Sequence, residues 1–189
     1  MTDDGLAQDR ARLLELLTRQ SFAQREVVLS SGRRSDFYID CKRTMLTAEG
    51  HYLVGRLLLA AIREHLPQAA AIGGLTLGAD PLASAVSLTS HLALHPLPAF
   101  IVRKEPKGHG TGQWIEGREA IPEGATVAVL EDVVTTGGSS LKAVERVRAA
   151  GFQAPMAFAL VDRLEGGREA LQAQGVTLHP LFTRRDFLP

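Results

Sequence analysis

The residues best suited to chemistry lie between Thr126 and Ser140, in the run TVAVLEDVVTTGGSS. Apolar, β-branched residues lead into Glu131-Asp132-Val133-Val134 and then Thr135-Thr136-Gly137-Gly138-Ser139, and a helical pattern follows at once. The segment therefore reads as strand, glycine-rich turn and helix. Glycines let backbone N–H groups wrap a phosphate, and the helix aims its unpaired donors and dipole at it. Thr135, Thr136 and Ser139 add hydroxyl donors. Neither GxxxxGK[ST] nor GxGxxG spacing is present, so the usual nucleotide and dinucleotide fingerprints do not fit. The adjacent carboxylates of Glu131 and Asp132 must then have another use. Vicinal hydroxyls such as those of ribose are suitable partners, while a solvated loop with a helix cap is the plainer alternative.

Three more segments carry reactive side chains. Ile101 to Gly112, IVRKEPKGHGTG, brings Arg103, Lys104, Lys107 and His109 together on a polar, glycine-rich loop. Such a loop can offset the charge of a pyrophosphate, and His109 can donate a hydrogen bond or proton to a leaving group. A solvated basic loop is the competing reading. Leu29 to Asp40 reads LSSGRRSDFYID, and Gly73 to Pro81 reads GGLTLGADP. Asp162-Arg163 closes a later apolar run, with Arg163 offering a planar donor fork, or else a surface ion pair with Glu165.

The elements that must position these groups are legible as five short apolar runs. They are Ala70–Gly74, Ala99–Lys104, Thr126–Glu131, Met156–Val161 and Val176–Phe182. Most are continuous rather than alternating, as strands covered on both faces are. Helical patterns separate them. Asp80-Pro81 reads as an N-cap followed by proline at the first helical position. Ser139 or Ser140 is placed to cap the next helix, which Gly151 ends. Glu165 to Gln174 reads as a third crossover helix. Alternating strand and helix predicts an α/β fold with a mostly parallel five-stranded sheet flanked by helices. Ahead of it, residues 1–65 carry an amphipathic helix over Leu6–Leu17, short strands at Val27–Leu29 and Phe37–Ile39, and a long helix capped by Thr47. This part is expected to pack as a small hood over residues 66–189, within one domain.

Composition excludes several classes. Lys plus Arg and Asp plus Glu both number 21, so a general affinity for nucleic acid or anionic membrane is not indicated. The single cysteine, Cys41, leaves no intramolecular disulfide and no cysteine-based zinc cluster. The acidic opening MTDDGLAQDR lacks the apolar stretch of a signal peptide, and no run approaches a membrane span. A cytoplasmic protein is expected.

The run E-D-V-V-T-T-G-G-S after a strand resembles the phosphoribosyl-pyrophosphate (PRPP) motif of type I phosphoribosyltransferases. With the SGRxSxxY-type segment, the G-x-x-x-G-A-x-P loop, the R-K-x-x-K-x-H-G loop and the later D-R in order, nearly the whole chain resembles orotate phosphoribosyltransferase. That resemblance implies transfer of ribose 5-phosphate from PRPP to orotate in pyrimidine biosynthesis, giving orotidine 5′-monophosphate and pyrophosphate. It implies Mg²⁺ carried by PRPP, with no protein metal ligands. It further implies that Arg103, Lys104, Lys107 and His109 meet pyrophosphate, and that Glu131 and Asp132 hold the ribose hydroxyls. Thr135 to Ser139 would then hold the 5-phosphate, with Val133 and Val134 also in the PRPP-binding run, and Thr135 and Arg163 would meet orotate. Lys107, His109 and Asp132 would be the residues closest to catalysis, in a homodimer whose basic loop is shared between subunits. Two positions depart from the family pattern: Ser30 and Leu77 stand where many members carry lysine. The alternatives are a phosphoribosyltransferase for a purine base and a non-catalytic PRPP-sensing regulator. The first would not need Arg163 for a carboxylate, and the second would favour a basic face that the charge balance does not suggest.

Overall fold

The computed structural model describes residues 3–28, 34–106 and 113–188. Its central element is β6 (Thr126–Val134), whose side chains alternate between two apolar layers. Ala128 and Leu130 face one layer, and Val127 and Val129 the other. Burial on both faces explains why the strand reads as a continuous apolar run instead of an alternating one.

Six strands form the main sheet in the order β5-β4-β3-β6-β7-β8. β3 (Ala71–Leu75), β4 (Ala99–Val102), β7 (Gln153–Asp162) and β8 (Thr177–Thr183) pair in parallel around β6. These match the five expected strands, with β6 extended through the acid pair to Val134. A sixth strand, β5 (Ile115–Glu116), adds an antiparallel edge to β4. Two residues are too few for any periodicity, so this edge left no sequence signal.

Helices α3 (Ala48–His65) and α4 (Asp80–Leu92) cover one face, and α5 (Gly138–Ala149) and α6 (Gly167–Gln172) the other. Thr47 caps α3 as expected, its hydroxyl accepting from the Gly50 N–H. Two other expected caps are corrected. α4 is capped by Ala79, and Asp80 sits inside its first turn, where its carboxylate accepts a 2.6 Å hydrogen bond from Thr76 Oγ1. α5 is capped by Gly137 at φ 82° and not by Ser139 or Ser140. The chain must enter the left-handed region there, which glycine adopts without steric cost.

The N-terminal region supplies α1 (Asp3–Leu16), the antiparallel hairpin of β1 (Phe22–Val28) and β2 (Arg34–Ile39), and the short helix α2 (Lys42–Met45). Its apolar residues share a core with the sheet. Leu13, Phe37 and Met45 belong to the same buried cluster as Leu130, Phe158 and Phe182. Phe37 lies 5.1 Å from the Phe22 ring and 5.7 Å from Phe187, so aromatic contacts seat the hairpin against the C-terminal end of the chain. Cys41 is fully buried, and burial pushes its thiol pKa up, as befits a small core side chain. Among the described residues no helix is long and apolar enough to cross a membrane.

Candidate active site

The carboxyl end of β6 delivers Glu131 and Asp132 and passes directly into the Thr135–Ser139 turn at the start of α5. Parallel sheets bind ligands at this edge, because the following loops and helix N-termini converge there. A cavity of about 280 Å³ is lined by residues 133–140 together with Glu131 and Lys142. The expected PRPP-binding residues Val133, Val134, Thr135, Thr136, Gly137, Gly138 and Ser139 thus surround one volume next to an acidic side chain.

The two carboxylates have different surroundings. Glu131 is buried, and Ser140 Oγ donates to its Oε2 at 3.1 Å. Burial first, and then the negative charge of Asp132, push the Glu131 pKa up to about 8. Asp132 accepts from its neighbour's Val133 N–H at 2.9 Å and from Lys42 Nζ at 3.3 Å. Its Oδ1 also lies against Gly78 in the loop after β3, where a Cβ would stand only 2.6 Å away. Glycine at 78 is what lets that loop approach the acid pair.

Arg163 follows β7 and is buried. Its backbone N–H donates to the Val134 carbonyl at 2.9 Å, which fixes it beside Thr135. Its Nη2 donates to the Phe37 carbonyl and pairs with Glu165, each at 2.9 Å. The competing ion pair with Glu165 therefore forms, but as a buried contact that also joins the sheet edge to the hairpin. Tyr38 is half-buried, while neighbouring Phe37 takes the core position.

The basic loop is placed only in part. Arg103 pairs with Glu116 at 2.8 Å, and Lys104 is exposed. Lys107 and His109, like Ser30 to Arg33, lie outside the described residues. Leu77 is 68% exposed in the loop preceding α4.

Orotate phosphoribosyltransferase of Sorangium cellulosum is 56% identical over 183 residues, covering 97% of this chain and 95% of that protein. The chain belongs to the orotate phosphoribosyltransferase family. Among solved structures, Mycobacterium tuberculosis orotate phosphoribosyltransferase in complex with Fe(III) dicitrate superposes with a TM-score of 0.82 at 39% identity, over 96% of this chain and 99% of that one. The same enzyme in complex with PRPP gives a TM-score of 0.77 at 37% identity, over 95% and 98% of the two chains. A scan against models of known protein families matched none.

Three site-edge residues of this orotate phosphoribosyltransferase family member escaped the sequence reading. Lys142 lines the cavity at the β6–α5 turn from near the start of α5. Its apolar neighbours at Leu141 and Val144 gave a helix signal, but nothing in that pattern marks a lysine as facing a cavity. Arg146 donates to the carbonyls of Arg103 and Lys104 and stacks 3.8 Å over the Trp114 ring. It therefore anchors the chain on both sides of the basic segment. Lys42 meets Asp132 across 90 residues of sequence, a distance no local pattern spans.

Proposed function

We propose that the chain transfers ribose 5-phosphate from PRPP to a ring nitrogen of orotate, giving orotidine 5′-monophosphate and pyrophosphate for pyrimidine biosynthesis in the cytoplasm, as a single domain. One observation carries the reading: the Glu131–Asp132 pair lies near the carboxyl end of β6, two residues before a glycine turn that lines a cavity of about 280 Å³. A sugar phosphate is the ligand that needs hydroxyl acceptors and an anion cradle side by side.

The residues fit the chemistry. The 5-phosphate is held by backbone N–H groups and hydroxyls of Thr135 to Ser139 at the N-terminus of α5. Glu131 and Asp132 accept from the ribose hydroxyls and orient the ring. As the C1–O bond to pyrophosphate breaks ahead of bonding to the nucleophile, the ribose becomes cation-like and the leaving group more negative. The acid pair tolerates the first, and Arg103, Lys104 and Lys107 stabilise the second. His109 hydrogen-bonds or protonates the departing oxygen. Arg163, with Thr135, orients orotate; its guanidinium matches a carboxylate or imide edge.

Magnesium belongs with PRPP in this reading. Among the described residues no three histidine, cysteine or acidic side chains converge on one point, and the carboxylates at the edge read as receiving PRPP are Glu131 and Asp132. That donor set suits an ion that keeps its waters and takes phosphate oxygens. When bound, it supplies charge neutralisation to the pyrophosphate.

The chain also acts as a homodimer whose basic loop serves the neighbouring subunit. Leu46, Tyr52, Leu88 and Leu92 are exposed around an open groove of about 730 Å³ between α3 and α4. An apolar surface of this kind is the mark of an interface, and a second copy of the chain is its occupant. Mixing an Arg103 or Lys107 variant with an Asp132 variant should restore one working site per heterodimer.

Turnover is tested with PRPP, Mg²⁺ and each of orotate, adenine, hypoxanthine and uracil. Activity is expected with orotate alone; turnover confined to a purine would overturn the acceptor assignment.

A further inference from the structure

PRPP is a polyanion, yet the strand end that would receive it carries two adjacent carboxylates. The loop after β3 lends no positive charge there, since its exposed side chain is Leu77. The cation that the structure brings to this point comes from the N-terminal region. Lys42, the first residue of α2, places Nζ 3.2 Å from Asp40 Oδ1 and 3.3 Å from Asp132 Oδ2. Burial draws the ammonium's pKa down, but Asp132 and Asp40 outweigh it and hold it above its ordinary value. The side chain is 45% exposed, so two carboxylates hold the ammonium while an incoming anion can still reach it.

A purely structural role explains this arrangement poorly. Half-exposed ion pairs contribute little to stability, and α2 is already held by the buried Ser21–Thr44 hydroxyl pair at 2.8 Å and by Met45 in the core. An ammonium beside the ribose-binding carboxylate has a direct use in binding, because it offsets the repulsion between Asp132 and a phosphorylated ligand.

Resting on the reading of this edge as a PRPP site, we propose that Lys42 is a further positioning residue of that site: it offsets and orients Asp132 and draws the pyrophosphate end of PRPP toward the acid pair. It does so from 90 positions ahead of Asp132 in sequence.

The test is calorimetric titration of Mg²⁺–PRPP, without any base, into the full-length wild type and the Lys42→Met and Lys42→Arg variants. Lys42→Met is expected to weaken PRPP binding about tenfold or more, and Lys42→Arg to recover most of the loss by restoring charge. In turnover, KM for PRPP should rise while KM for orotate stays within about twofold of wild type, with melting temperatures nearly unchanged. Wild-type-like PRPP affinity in Lys42→Met overturns the proposal. So does an equal loss toward both substrates accompanied by a collapse in melting temperature, the signature of a structural staple. Because the titration omits the base, a wild type that binds PRPP but does not use orotate would sink the acceptor assignment and leave the Lys42 comparison intact.

Discussion

Glu131→Gln is expected to stabilise the protein progressively as pH rises, while damaging its activity. In the folded chain the Glu131 carboxyl holds its proton up to about pH 8, against an ordinary value of 4.5. Its folded pKa is therefore raised, so the folded state binds the proton more tightly than the unfolded chain. Below the ordinary value both states are protonated and the group costs nothing. As pH rises above it, the unfolded chain ionises while the folded one cannot, and wild-type stability falls by about 1.4 kcal/mol per pH unit until the folded carboxyl ionises too. Between pH 6 and pH 8 this amounts to roughly 2–3 kcal/mol, or about 4–12 °C in Tm for a domain of this size. Glutamine keeps the shape and can still accept from Ser140 Oγ, but it has no charge to desolvate. The Tm advantage of Glu131→Gln over wild type should therefore grow from pH 6 to about pH 8 and level off above it in scanning calorimetry. Its kcat/KM for PRPP should fall by about 10²-fold or more, because the ribose hydroxyls lose an anionic acceptor. In the wild type, kcat/KM should climb toward pH 8 as the free enzyme's carboxyl ionises. A Tm difference that stays flat between pH 6 and 9 would refute the argument, since it would mean that Glu131 ionises like an exposed acid.

Phe37→Ala removes a fully buried ring between Phe22 and Phe187 and should cost about 3–5 kcal/mol in urea unfolding, with orotate KM rising as the Arg163 contact at the same residue loosens. Gly137→Ala forces a side chain into φ 82° with its Cβ 3.1 Å from the Gly167 carbonyl oxygen; a loss of about 1–2 kcal/mol and a higher KM for PRPP are expected in thermal melts and turnover. Lys107→Ala should lower turnover by orders of magnitude with an unchanged far-UV circular dichroism spectrum, because the polar, glycine-rich sequence around it reads as a segment that contributes little packing. Near-normal turnover would remove Lys107 from the pyrophosphate assignment.

The parts of this molecule that were readable in advance are those whose physics is local. TVAVL announced a two-faced strand because burial on both sides suppresses alternation, and TTGG announced a turn because only glycine tolerates the left-handed step that Gly137 takes. The cap of α5 differs from the one its sequence suggests for a related reason. Serine is the commoner capping residue, but Ser140 is already committed to Glu131, a buried partner that local sequence does not reveal. Asp80 was likewise read as a cap because Asp-Pro has that signature, whereas its carboxylate is taken by Thr76 within the preceding loop. The Ile115–Glu116 edge strand and the reach of Arg146 to the Arg103 and Lys104 carbonyls depend on where the chain returns, and pattern alone does not encode that.

The same division explains why the donor half of the site was easier to read than the acceptor half. In the proposed site, phosphate and ribose groups are met by one contiguous stretch, Glu131 to Ser139, so its chemistry and its spacing appear together in sequence. The other side is assembled across seams between the N-terminal region and the sheet. Arg163 grips the Phe37 carbonyl and Arg184 pairs with Asp36 on that side, while Lys42 crosses a similar seam to Asp132 on the donor side. Each contact joins residues about 90 or more positions apart, and each holds the β1–β2 hairpin or α2 against the carboxyl edge of the sheet. Substitutions along these seams should therefore alter base choice and substrate affinity more than they alter the phosphate cradle, whose geometry is fixed within a single strand–turn–helix unit.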